Sequence, residues 1–134
     1  MQSDSLPQDV QDILADHVES YEQLAILLLV YRERDRGWSE AELSETLRIP
    51  PQLTAGALSG LCAAGLLGVD SESVPLRYNY AAAGEADATI GRLALEYTQN
   101  PVGVVRLLSA NAIERVRNAA LRAFVDAFVL KRKD

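Results

Sequence analysis

The sequence is poor in the residues that carry chemistry. Its one cysteine, Cys62, leaves no basis for a disulfide framework or a thiolate-built metal site. Its one histidine, His17, rules out paired-histidine metal motifs and has no marked nucleophile to activate. There is no phosphate-cradling P-loop, no G-x-G-x-x-G, no G-x-S-x-G and no calcium loop. An enzyme is therefore not expected, and neither is a cofactor nor a metal. Long hydrophobic runs are also missing. The longest, 24–31, has eight residues, about 12 Å of helix against a hydrocarbon core of roughly 30 Å. The opening MQSDSLPQDVQD has neither the basic nor the apolar part of a secretory signal. A cytoplasmic protein with no membrane contact is expected.

What is present suits one domain over 1–134. The chain is 49% hydrophobic and 24% charged, enough for one core at this length and too little for two. Charge is unevenly distributed. Residues 1–100 hold 6 basic and 16 acidic side chains, whereas 101–134 hold 7 basic and 3 acidic. The acidic body argues against strong DNA binding. The basic tail suits a partner surface, or neutralisation of the body within an oligomer.

Helical spacing runs over 7–17, with Val10, Ile13 and Leu14 on one face. Asp4, Asp9, Asp12, Asp16 and Glu19 are spread along the solvated side of the N-terminal segment. Ser20 and Gln23 form a capping-box pattern at the start of a second helix, expected to run to about Arg36 and to be stopped by Gly37. That helix is apolar nearly all round, which predicts burial on more than one side. Ser39 and Glu42 repeat the capping box before a helix over 40–48, with Ala41, Leu43 and Leu47 inward. Ile49-Pro50-Pro51 breaks it. Pro51 suits the first turn of the next helix, 51–64, which Gly65 ends. Leu53, Ala57, Leu58 and Leu61 are its expected core face. Two short strands follow, 66–69 and 76–80, around the turn-like Asp70-Ser71-Glu72-Ser73. Helical spacing returns over 85–99 through Ala88, Ile90, Leu93, Leu95 and Tyr97. A short apolar helix is expected over 102–108, and a separate long one over 111–130.

Helix, turn, helix and hairpin in this order resemble a winged helix-turn-helix. The likeness lies in WSEAELSETLRIPPQLTAGALSGLCAAGLLGVDSESVPLRYNY, 43 of the 134 residues. Ile49-Pro50-Pro51 matches the turn, 52–64 the second helix, and Leu66-Leu67 after Gly65 the entry to the wing. The terminal FVDAFVLKRKD is similar to the ending of small bacterial winged-helix proteins. The resemblance implies a mainly α fold with a small β-hairpin wing. Its N-terminal helices would lie in 1–36, the motif and wing in 37–82, and C-terminal helices in 83–134. It also implies a small bacterial transcriptional regulator whose second motif helix reads base edges. Carried onto this chain, the DNA- or partner-binding residues are Gln52, Thr54, Ala55, Gly56 and Ser59, with Arg77 near the wing. Gln52 suits bidentate contact with adenine; Ser and Thr suit either base or phosphate.

The chain departs from that pattern in its charge. Residues 49–76 hold no Lys or Arg, and the wing tip carries Asp70 and Glu72, whereas DNA affinity comes largely from neutralised phosphates. The alternative is a winged-helix interaction module or regulatory adaptor that binds a protein and not DNA. Thr54, Ala55, Gly56, Ser59, Gly60 and Ala63 are small enough for another backbone, or another helix of this chain, to approach.

The last helix shows two apolar faces. This predicts a homodimer through Ile113, Val116, Ala120, Phe124 and Phe128, unless one face merely covers the N-terminal helices. Lys131, Arg132 and Lys133 complement the helix dipole. Arg106, Arg115, Arg117 and Arg122 remain to meet the acidic half of a partner subunit, or phosphates. Cys62 is expected to be a buried small hydrophobe, Trp38 a packing staple before its helix, and His17 a surface residue.

Overall fold

The computed structural model describes the backbone of residues 6–132 and the side chains of 6–128. Six helices and three strands follow in the order α1 (Gln8–Asp16), α2 (Tyr21–Arg32), β1 (Trp38–Ser39), α3 (Glu40–Leu47), α4 (Pro51–Ala63), β2 (Leu67–Asp70), β3 (Arg77–Tyr80), α5 (Gly84–Gln99) and α6 (Pro101–Arg132). The strands form one antiparallel sheet in the order β1-β3-β2.

Local chemistry explains most of the boundaries. At Ser39 the capping box is complete: its hydroxyl accepts from the Glu42 N–H and the Glu42 carboxylate accepts from the Ser39 N–H. At Ser20 only half of it forms. The hydroxyl accepts from the Gln23 N–H, but the Gln23 side chain accepts from Glu19 N–H and not from Ser20. Pro51 occupies the first turn of α4, and the helix closes on Gly65 at φ 79°. There Leu66 N–H donates to Leu61 O and Gly65 N–H to Cys62 O, a Schellman ending that satisfies orphan carbonyls.

The core is built on α2, where Leu24, Ile26, Leu27, Leu28, Leu29 and Val30 are all buried. A helix apolar nearly all round sits at the centre, as its composition requires. Leu14 from α1, Leu43 from α3, Leu58 and Leu61 from α4, Ile90 and Leu93 from α5, and Val104 and Leu108 from α6 close around it.

Several expectations are corrected. The second helix ends at Arg32, not near Arg36, because Glu33 leaves helical geometry at φ −118° and ψ 53°. Gly37 does not adopt a left-handed conformation. It lies against β3 instead, where a Cβ would stand 3.3 Å from the Arg77 Cβ. Ala41, Ala88 and Leu95 are exposed. On α4, Ala57, Leu58 and Leu61 are buried as expected, but Leu53 is 48% exposed and Thr54 is fully buried in its stead. The strands begin at Leu67 and Arg77, one residue later than expected, and Trp38–Ser39 adds an unforeseen third strand. Finally, 101–132 is one continuous helix and not two. Asn100 starts it by accepting the Gly103 N–H at 3.1 Å, and no residue between Leu108 and Asn111 breaks the rod.

Candidate nucleic-acid interface

The second motif helix, α4, buries Ala57, Leu58 and Leu61 against α2 and α3 and turns its other side outward. Gln52, Ala55, Gly56 and Ser59 are exposed on that side. Around Gly56 even an added Cβ would meet no atom within 4 Å. Gly60 is different: the Gln23 amide from α2 packs where its Cβ would be, so this glycine serves packing within the chain. Thr54 is no surface reader. It is buried and donates its hydroxyl to Pro50 O at 3.2 Å. The face offered by α4 is therefore Gln52, Ala55, Gly56 and Ser59.

Carboxylates border both sides of this helix's beginning. A groove of about 320 Å³ is lined by Glu19, Glu22, Gln52, Leu53 and Gly56. A second, of about 450 Å³, is lined by Glu40, Ala41, Ser44, Glu45 and Pro51. Sequence distance hides the first of these, since Glu19 precedes α2 and Glu22 lies in its first turn. Arg48 lies between α3 and α4. It takes the left-handed conformation at φ 57°, is exposed, and has no carboxylate partner among the described residues. It is the cation nearest in sequence to α4, and nothing in the residue pattern singles it out.

Arg77 belongs to a separate cluster at the base of the wing. Its guanidinium donates to Gly37 O and to the Glu42 carboxylate, both at 3.1 Å. Arg36 donates to the same Glu42 oxygen at 3.0 Å and stacks on the Trp38 ring at 3.7 Å. The Ser39 N–H holds the Glu42 carboxyl below its usual range, with Arg77 and Arg36 acting in the same direction against partial desolvation. Two of the few cations near the motif are thus committed to one carboxylate. The exposed wing tip carries Asp70 and Glu72.

A second cluster joins wing to body. The Tyr80 hydroxyl donates to Asp87 of α5 at 2.6 Å, Tyr80 meets Tyr31 edge-on at 5.4 Å, and Arg34 lies over the Tyr31 ring at 4.4 Å. Burial, and then the hydrogen bond to Asp87, push the Tyr80 phenol well above its usual range.

The remaining sites are quiet. His17 is exposed. Cys62 is half-buried, more open than expected, and burial pushes its thiol up, away from nucleophilic use. Among the described residues no group of three or more His, Cys, Asp or Glu is placed to hold a metal. No helix among them is long and apolar enough to cross a membrane.

On α6, Ile113, Val116, Ala120, Phe124 and Phe128 are all exposed, and the two phenylalanine rings stack at 6.3 Å. Arg115 is engaged within the chain. It clasps the end of α1, donating to Ala15 O at 2.8 Å and to Leu14 O and Glu19 O at 3.4 Å. Leu130 and the Lys131, Arg132 and Lys133 side chains lie outside the described residues.

No protein-family model matches the chain, and no curated protein matches it. Among solved structures, a double mutant of ZitR from Lactococcus lactis is similar over 85% of this chain and 78% of its own, with 19% identity and a TM-score of 0.51. The heme sensor protein PefR from Streptococcus agalactiae, solved in complex with heme, is aligned over 90% of this chain and 81% of its own, with 15% identity and a TM-score of 0.46. The likeness to ZitR shows the fold: this chain is a mainly α winged helix-turn-helix with helical extensions at both ends.

Proposed function

We propose that this winged helix is a small transcriptional regulator that reads DNA with the outward face of α4. The observation that carries the proposal is that Gln52, Ala55, Gly56 and Ser59 lie exposed along one side of α4, with open space at Gly56. A motif helix enters a major groove with its outer side unobstructed and reads base edges with the side chains on that side. Gln52 supplies the amide that pairs with an adenine edge, and Ser59 a hydroxyl for base or phosphate. Arg48 supplies a phosphate contact beside them. Arg77 stabilises the wing and does not read bases.

The test is binding to a duplex selected from a random pool. Gln52→Ala weakens binding to that duplex by about fivefold or more, because a bidentate base contact is worth about 1–3 kcal/mol. Its binding to unselected DNA stays unchanged. Full sequence preference in both Gln52→Ala and Ser59→Ala contradicts the assignment.

A second reading, a protein-interaction module, is favoured by one observation. Carboxylates flank the start of α4 on both sides, and Glu42 occupies Arg36 and Arg77. Such a surface repels phosphates and suits a basic protein segment. Absence of DNA binding at about 50 mM salt, where charge contacts are strongest, selects this reading.

A further inference from the structure

We infer that the groove between the start of α2 and the start of α4 is a seat for one arginine of a partner protein's segment. The inference rests on the reading of this face as a protein-interaction surface, and names where on it the partner is held.

The carboxylates of this groove are uncommitted. Asp9, Glu42, Asp87 and Glu114 each face an arginine of this chain. Glu19 and Glu22, which line the groove, join no ion pair among the described residues. Arg115 reaches the Glu19 carbonyl oxygen and not its carboxylate. Two unpaired carboxylates on one groove hold it negative and attract a cation.

A second feature of the groove asks for more than a cation. Gln23 lines it and is 8% exposed. The Gln23 amide oxygen accepts from Glu19 N–H at 2.6 Å, and the amide nitrogen lies against Gly60 of α4. That nitrogen donates to no group among the described residues. Unlike the Trp38 indole nitrogen, which is sealed in without a partner, it is not closed off from the groove. A nearly buried donor left unpaired favours a ligand that brings an acceptor. A metal ion or a polyamine brings none. A phosphate brings one, but Glu19 and Glu22 repel it. A peptide brings both: a carbonyl for Gln23 and a cationic side chain for the carboxylates.

Arginine fits the rest of the surface. Leu53, 48% exposed, lines the groove and offers apolar area to the stem of a long side chain. The planar guanidinium has donors enough for both carboxylates and the Gln52 amide oxygen, and it sheds water more readily than an ammonium. Open space at Gly56 lets the segment's backbone lie close to α4. The volume of about 320 Å³ suits one long side chain and the backbone that carries it. Gln52 lines the same groove, so a segment seated there covers the side chain proposed to read adenine.

The groove on the other flank of α4 lacks this set. Glu40 and Glu45 are also unpaired there, but Ser44 spends its hydroxyl on Ile49 O, and no free buried donor lines that groove among the described residues. It therefore serves as the control.

The test titrates the full chain, labelled with nitrogen-15, with a capped alanine pentapeptide carrying one central arginine. The expected result is movement of the Gln23 side-chain amide signal together with the backbone signals of Gln52 and Gly56. A peptide with citrulline, the neutral counterpart of arginine, moves none of them. Glu19→Gln combined with Glu22→Gln weakens binding by about fivefold or more, whereas Glu40→Gln combined with Glu45→Gln leaves it unchanged. A Gln23 side-chain signal that stays still at saturation overturns the inference, as does equal binding of the citrulline peptide. Equal losses in the two paired variants overturn the seat but keep the protein-interaction reading. Absence of peptide binding overturns the seat, and that reading then stands or falls with DNA binding at about 50 mM salt.

Discussion

The Arg77 guanidinium of β3 and the Glu42 carboxylate of α3 meet at 3.1 Å, across 35 positions of sequence. The contact ties the wing to the first motif helix. It also neutralises the one cation that the sequence places near the wing. The winged-helix surface is therefore less basic than a count of its arginines implies, and DNA binding as proposed would rest on few phosphate contacts.

Glu42→Gln tests that consequence. The substitution keeps the shape of the side chain and its acceptor for the Ser39 N–H, but releases Arg77 and Arg36 from a full charge. Binding to unselected duplex at about 50 mM salt is expected to tighten severalfold, by about one phosphate contact. Fluorescence anisotropy reads the change. Equal or weaker binding contradicts the view that Glu42 withholds these cations.

The same carboxylate sets an acid dependence. Glu42 titrates below its ordinary value of 4.5 in the folded chain. Asp9, held first by the hydrogen bond from Arg92, titrates below 3.8. A folded value below the unfolded one stabilises the protein above the unfolded value, and this stabilisation is lost as pH falls through the folded one. Urea midpoints are thus expected to hold above about pH 5 and to decline below it. The decline is shallower in Glu42→Gln and in Asp9→Asn. Parallel pH profiles for the variants and the parent refute the linkage.

Ser39 closes a complete capping box and is buried. Ser39→Ala removes the acceptor for the Glu42 N–H and is expected to cost about 1 kcal/mol of unfolding free energy. Ser20→Ala removes a cap that is only half formed, and its cost is expected to be smaller. Denaturant unfolding of the two variants gives the order directly. A larger loss at Ser20 contradicts it.

Arg115 holds α6 to the end of α1 by three carbonyl contacts. Those carbonyls have no helical partner, and a cation there also meets the negative end of the helix. Arg115→Leu keeps much of the stem and loses the donors. It is expected to destabilise the chain by about 1–2 kcal/mol and to speed amide exchange around His17 and Val18. Both N–H groups donate to Ile13 O, in the segment Arg115 clasps. Unchanged exchange contradicts the role.

The features legible in the sequence are those written in neighbouring residues. Ser39 with Glu42, Pro50 with Pro51, and Gly65 each act within a few positions, and the structure uses all of them as read. The apolar surround of α2 likewise predicts a helix buried on more than one side, at the centre of the core or at a dimer contact, and the structure buries it at the centre. What escaped depends on contacts between distant residues or on which residue at the end of a helix face turns inward. β1 has two residues and exists only through pairing with Tyr78 and Arg77. Thr54 looks like a surface hydroxyl, yet it completes the buried face with Ala57, Leu58 and Leu61, and Leu53 does not. Asn111 and its neighbours suggest a break, but none of them interrupts the helical hydrogen bonding of α6. Charge along the chain showed that the motif is acidic. It did not show that Glu19, just before α2, and Glu22 of α2 flank the same helix start as Glu40 and Glu45 of α3.

The central claim, that α4 reads DNA, is tested most directly by anisotropy of the purified chain on a labelled mixed duplex from about 50 to 200 mM salt. The predicted result is measurable binding at the lowest salt. Its logarithmic salt slope is shallow, about −2 to −4, because few cations reach phosphates. No binding at about 50 mM salt contradicts the claim and leaves the acidic face of the winged helix to a basic protein partner.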